Sequence, residues 1–208
     1  MGKLLPTVLD TKYENLLREE RSLAKAVTSA VIKSRPVTVW EIMIPILFLL
    51  NFLQFKRARE TFSLNFLFTK KLALEATRDM IKDGLSKEEA MGRIKDKTRD
   101  ILAADKKGIY SQKIRQKQMQ EMDLLIDHYR RLLEAEGKDY ASMMKNAYQT
   151  SEKYTTFLRQ LRKAETEVYR ASHQTLRTAG ASEVIFKMEQ ATERIRRAQT
   201  DKIFGIGS

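Results

Sequence analysis

Apolar residues recur at three- and four-residue steps along most of this chain, and runs of strict apolar–polar alternation are scarce. That period belongs to helices with one buried face. Tyr13, Leu16, Leu17, Leu23, Ala24, Val27, Val31 and Ile32 mark the first such face, with charges opposite. Asp10 or Thr11 is placed to cap this helix. The approach to Pro36 ends it, because the residue before a proline is pushed out of the helical region. Beyond Gly84, Ser86 and Glu89 have capping-box spacing and predict a helix carrying Met91, Ile94, Ile101 and Leu102. Met119, Met122, Ile126, Tyr129 and Leu133 follow at close to heptad spacing, but Leu124, Leu125 and Leu132 widen that face from a zipper seam to a bundle face. Gly137 and Asp139 make a turn and a cap, and predict one long helix from Tyr140 to about Arg177, its seam interrupted at Glu165. Gly180 and Ser182 set off a last helix with Val184, Met188, Ala191, Ile195 and Ala198 on one side.

One stretch, PVTVWEIMIPILFLLNFLQFKRARE, breaks the pattern, for it holds no charge between Glu41 and Lys56. As a helix, residues 39–55 run about 25 Å, against roughly 30 Å for a bilayer core. Trp40 stands at one end and Lys56, Arg57 and Arg59 at the other, residue types that settle at headgroup level. Leu47, Leu50 and Phe52 point in different directions, so no charged face remains and the helix must be covered by lipid or by protein. These seven residues are the expected membrane anchors. Glu41, Asn51 and Gln54 form a loose polar side suited to a partner helix. A second apolar cluster, Phe62, Leu64, Phe66, Leu67 and Phe68, follows the basic patch. The bias of Lys and Arg toward the C-terminal flank orients the remainder of the chain to the cytoplasm.

The 39 Lys and Arg against 27 Asp and Glu give a net charge of +12, and most of the excess lies after Phe55. Anionic partners are favoured, whether lipid, nucleic acid or another polyanion. Arg194, Arg196 and Arg197 are the candidate polyanion contacts. Cysteine is absent, which removes disulfides, thiolate nucleophiles and Cys-based metal sites. The two histidines, His128 and His173, lie in neither H-E-x-x-H nor Glu-x-x-His pairs, and read as surface polar residues of long helices. Glycine-rich phosphate loops and nucleophile elbows are absent too. No catalytic residue, metal ligand or cofactor is therefore assigned.

The sequence predicts an all-α chain: an amphipathic N-terminal helix (1–35), an apolar anchoring or interface region (36–84), an elongated antiparallel helical bundle (85–203) and a short tail (204–208). The expected function is a membrane-associated scaffold or accessory subunit on an anionic lipid bilayer, joined to partner helical proteins or to further copies of itself. The alternative is a soluble basic helical oligomer that binds nucleic acid or another polyanion.

Overall fold

Seven helices account for nearly all the residues that the computed structural model describes, namely 6–31, 58–105, 110–176 and 181–206. They are α1 (Pro6–Val31), α2 (Ala58–Asp83), α3 (Lys87–Ala104), α4 (Gln112–Glu134), α5 (Tyr140–Tyr148), α6 (Ser151–Leu176) and α7 (Ala181–Phe204). No strand occurs among the described residues, as the three- and four-residue period predicts.

Local chemistry sets several of the boundaries. α1 opens on Pro6, ahead of the expected caps, where a proline's missing N–H leaves nothing unsatisfied. α2 stops at Gly84, whose φ of +71° lets the Leu85 N–H reach the Met80 carbonyl at 3.1 Å. The capping box of α3 forms as predicted: the Glu89 N–H donates to Ser86 Oγ at 3.1 Å, and the Ser86 N–H to Glu89 Oε2 at 2.7 Å. Asp139 caps α5 by accepting from the Ser142 N–H at 2.9 Å.

The long helix expected from Tyr140 is broken. Gln149 takes a φ of +66°, the Lys153 N–H donates to Thr150 Oγ1 at 3.3 Å, and α6 begins afresh at Ser151. Thr150 thus captures an amide that a continuous helix would use, which is how a mid-helix threonine competes with the backbone.

α1 packs chiefly on α2 and α7, α2 on α4, and α4 on α6. The main core joins Leu9, Tyr13, Leu16 and Leu17 of α1 to Leu72, Leu74 and Met80 of α2, and to Met122, Leu125, Ile126, Tyr129, Leu132 and Leu133 of α4. Lys12 also ties α1 down, its ammonium donating to the Leu133 and Ala135 carbonyls at 3.1 and 2.6 Å at the C-terminal end of α4. Carbonyls at a helix end lack intrahelical partners, so a cation is well placed there.

This packing corrects the expected fold, in which an amphipathic N-terminal helix and one strongly apolar helix precede an elongated bundle. Phe62, Phe66 and Leu67 of the second apolar cluster are buried against Leu23, Ala24 and Val27 of α1 and Met188 and Ala191 of α7. Protein covers them, and α1 and α2 belong to the bundle. Among the described residues no helix is long and apolar enough to cross a membrane. Charges interrupt α2 at Lys70, Lys71, Glu75, Arg78 and Asp79, each one costly in hydrocarbon. The expected membrane-associated scaffold, with its transmembrane helix, lipid-bilayer partner and cytoplasm-facing location, is corrected to this extent: no described helix could cross a membrane, and protein rather than lipid covers the second apolar cluster. Trp40, Leu47, Leu50, Phe52, Lys56 and Arg57, with Glu41, Asn51 and Gln54, lie outside the described residues, and Arg59 falls in the first turn of α2.

Candidate functional site: a buried ion network beneath an open groove

Glu165, which interrupts the apolar seam of α6, is the hub of the polar structure. Arg196 of α7 grips its carboxylate with two parallel hydrogen bonds, Nη1 to Oε2 at 2.7 Å and Nη2 to Oε1 at 2.8 Å. Lys70 of α2 donates to Oε1 at 3.0 Å and stands 3.9 Å from Glu121 Oε1 of α4. The same ammonium lies 4.3 Å from the centroid of the Phe66 ring. Lys70, Glu121 and Glu165 expose 5% or less of their side chains. Four helices thus bring one charged group each into the interior.

Buried charge survives only where partners replace water, and the two carboxyls fare differently. Burial works against ionised Glu165, but Arg196 and Lys70 outweigh it and hold the carboxyl down at about 2. Burial pushes Glu121 up to about 7, with Lys70 pulling the other way and Glu165 adding to the rise. Burial also opposes the charge on Arg196, yet Glu165 raises the pKa of its guanidinium overall. At neutral pH the network therefore holds a full Lys70–Glu165–Arg196 triad beside a carboxyl close to its own titration point. Next to it, Tyr129 of α4 donates to Glu20 Oε1 of α1 at 2.8 Å. The second oxygen of Glu20 is buried with no hydrogen-bond partner among the described residues.

α6 and α7 leave an open groove of about 360 Å³ above this network, with Glu165 and Arg196 in its wall. Leu158 and Tyr169 supply apolar surface there, and Arg159, Arg162 and Arg197 supply charge. Arg162 pairs with Glu193 at 2.7 Å, and Glu189 accepts from the Thr166 hydroxyl at 2.6 Å. Arg197 has no ion pair among the described residues, and Thr192, also in the wall, has a buried hydroxyl without a partner among them.

The three candidate polyanion contacts therefore separate. Arg194 and Arg197 are exposed, whereas Arg196 points inward and is committed to Glu165. Lys70 and Glu121 were not singled out from the sequence, and Glu165 stood out there only as a charged residue within an otherwise apolar seam. The histidines separate as well. His128 is only 6% exposed and belongs to an aromatic cluster, contrary to the surface position expected of it. Its neighbours Asp123 and Asp127 both hold Lys87, at 2.8 Å each. His173, in the last turn of α6, is half-buried. Comparison with protein-family models, characterised proteins and solved structures finds no match for the chain.

Proposed function

We propose that the chain is a non-catalytic helical binding module that engages a polyanion along the outer face of α6 and α7. The observation that carries this reading is a set of cations left without carboxylates. Arg159 and Lys163 stand four residues apart on α6, and Arg194 and Arg197 three apart on α7, so each pair shares one side of its helix. All four are exposed, and none has an ion pair among the described residues. Of the neighbouring carboxylates, Glu193 is matched by Arg162, Glu167 by Lys117 and Arg170, and Glu183 by Lys187, which leaves Asp201 and the Thr166-bonded Glu189 of the groove wall with no ion pair among the described residues. The two cationic ridges accompany the groove, which Arg159 and Arg197 both line. Closely spaced phosphates or sulfates complement such a surface, and contact of that kind is electrostatic and independent of sequence.

The test replaces Arg159, Lys163, Arg194 and Arg197 together by Gln. Fluorescence anisotropy then measures binding of labelled duplex DNA and of a sulfated polysaccharide across a salt series. Loss of four phosphate contacts should lower the slope of log K against log salt by about 3–4 for duplex, with helicity unchanged by circular dichroism. The reading fails if the parent chain shows no salt-dependent affinity for either polymer, or if the variant keeps the parent's slope.

A further inference from the structure

A second cavity, of about 460 Å³, lies between α4 and the first half of α6, with Tyr148 at the end of α5 beside it. Its inner wall is aromatic. Phe157 stacks on His128 with centroids 4.3 Å apart and planes at 13°, and the Tyr148 ring follows at 5.7 Å from the imidazole. At the edge, the exposed Arg131 guanidinium stands 5.0 Å from the centroid of the Tyr148 ring.

The hydrogen-bonding capacity around this cavity is unevenly used. His128 Nδ1 and the Tyr148 hydroxyl are 2.6 Å apart. Burial, aided by Arg196 and Arg131, pushes His128 down to about 3, so its ring is neutral at physiological pH. Burial raises the Tyr148 phenol, so it also keeps its proton, and the contact joins two neutral groups. When the phenol donates to Nδ1 the ring hydrogen lies on Nε2, for which no described residue is a partner. Arg131 has no ion pair among the described residues. The other charges are occupied: Asp127 holds Lys87 at 2.8 Å, Lys153 donates to Gln149 at 2.6 Å, and Glu152 folds back on Thr150 and Ser151.

The Arg131 guanidinium and the imidazole Nε2, neither with a hydrogen-bond partner among the described residues, therefore sit beside flat apolar faces, in a volume within the roughly 300–1,000 Å³ of small-molecule sites. We infer that this cavity is a binding site for a small aromatic oxyanion, whose ring lies along Phe157 and Leu124 and whose charged group meets Arg131 and His128 Nε2–H. Arg131 supplies the planar fork that suits carboxylate or phosphate, and the neutral imidazole adds a donor without a second charge to desolvate. The site is separate from the α6–α7 face, and neither assignment depends on the other.

Having only two histidines makes the inference testable by imidazole NMR on the full chain, with His173 as internal reference. The probes are benzoate and phenyl phosphate, which separate carboxylate from phosphate, with benzyl alcohol lacking the charge and acetate lacking the ring. At least one aromatic acid should move the His128 ring signals saturably, with a Kd of about 1 mM or tighter, while His173 stays still. Benzyl alcohol and acetate should each bind at least about fivefold more weakly, a difference of about 1 kcal/mol. Arg131→Gln, an exposed change whose fold is checked by circular dichroism, should weaken the aromatic acid by at least about fivefold. The site is overturned if neither acid gives a saturable His128 shift by about 20 mM, if Arg131→Gln leaves the Kd unchanged, or if acetate matches benzoate.

Discussion

Glu121→Gln is expected to stabilise the protein above neutral pH and to change it little near pH 5, roughly where a carboxyl in an unfolded chain has already begun to protonate. Glu121 is buried in the ion network, and burial pushes its carboxyl up to about 7. The native state therefore holds this proton more tightly than the unfolded chain, whose carboxyl titrates at about 4.3. Stability from the group is complete below the unfolded value and is lost as pH rises through about 7. At about 1.4 kcal/mol per pH unit, the gap amounts to about 4 kcal/mol. Lys70, 3.9 Å away, offsets only part of the burial. Glutamine has nearly the shape of the protonated acid and carries no charge at any pH, so the variant escapes the loss.

His128 works in the opposite sense. Its folded pKa of about 3 lies below the ordinary value, so its contribution is present above about 6.5 and is lost as pH falls through about 3. Between roughly pH 4.5 and 6.5 the two slopes oppose each other, and the parent chain should show a shallow profile there. Glu121→Gln should uncover the histidine slope, with stability rising toward neutrality and then holding level. Urea unfolding followed by far-ultraviolet circular dichroism measures this directly. With a urea dependence of about 2 kcal/mol/M, the midpoint of the variant should exceed that of the parent by about 2 M at pH 8, and by much less at pH 5. A constant difference between the two proteins from pH 5 to pH 8 would refute the assignment of a neutral-range proton to Glu121.

Two further perturbations probe the backbone and the triad. Gln149→Gly should stabilise the protein by about 0.5–1 kcal/mol, because it relieves a positive φ at a non-glycine residue; an unchanged or lower thermal midpoint would count against strain at that junction. Glu165→Ala strands two buried cations and should cost about 3–5 kcal/mol, whereas Glu165→Leu with Arg196→Met and Lys70→Met should cost far less, since apolar groups of similar volume often replace a buried ion triad at little loss; equal destabilisation by the single and triple variants, measured by urea unfolding, would contradict that.

Features set by neighbours in sequence were legible. Ser86 with Glu89, and Asp139 ahead of α5, act within three residues of themselves and form the caps that their spacing implies. The wide apolar face of α4 likewise reported a bundle rather than a zipper, and Leu125 and Leu132 are buried with the heptad-spaced residues. What covers an apolar surface was not legible. Phe62 and Phe66 are buried by α1 and α7, whose contacting residues lie far away in sequence, and the same hydrophobicity would suit lipid. The break at Gln149 was hidden because glutamine carries no preference for positive φ, and only the Thr150–Ser151 pair hints at a new cap. His128 has one aromatic neighbour on its own helix, Tyr129; its stacking partner Phe157 comes from α6. Arg196 did leave a trace. It falls in step with Met188, Thr192, Thr200 and Ile203, all buried, so the helical period placed it inward while its charge suggested the surface.

The cost of desolvating Lys70, Glu165 and Arg196 makes the triad a poor device for stability alone, since well-packed apolar residues would serve as well. Its geometry does something that such residues cannot. Leucine and methionine pack at several offsets along a helix, whereas a carboxylate held in a guanidinium fork accepts one register, within a few tenths of an ångström. Slippage by a single turn would carry Arg196 about 5.4 Å from Glu165 and leave both charges buried and unpaired. Sliding of α7 along α6 is thereby penalised by several kcal/mol. The register so held sets Arg159 and Lys163 on one helix against Arg194 and Arg197 on the other. Four cations on flexible stems tolerate error in any one contact, but their joint match to a regular run of phosphates or sulfates depends on the spacing between the two ridges. On this reasoning the buried arginine of the Arg194–Arg197 segment acts on the surface by position, holding its exposed neighbours where a polyanion can meet them together.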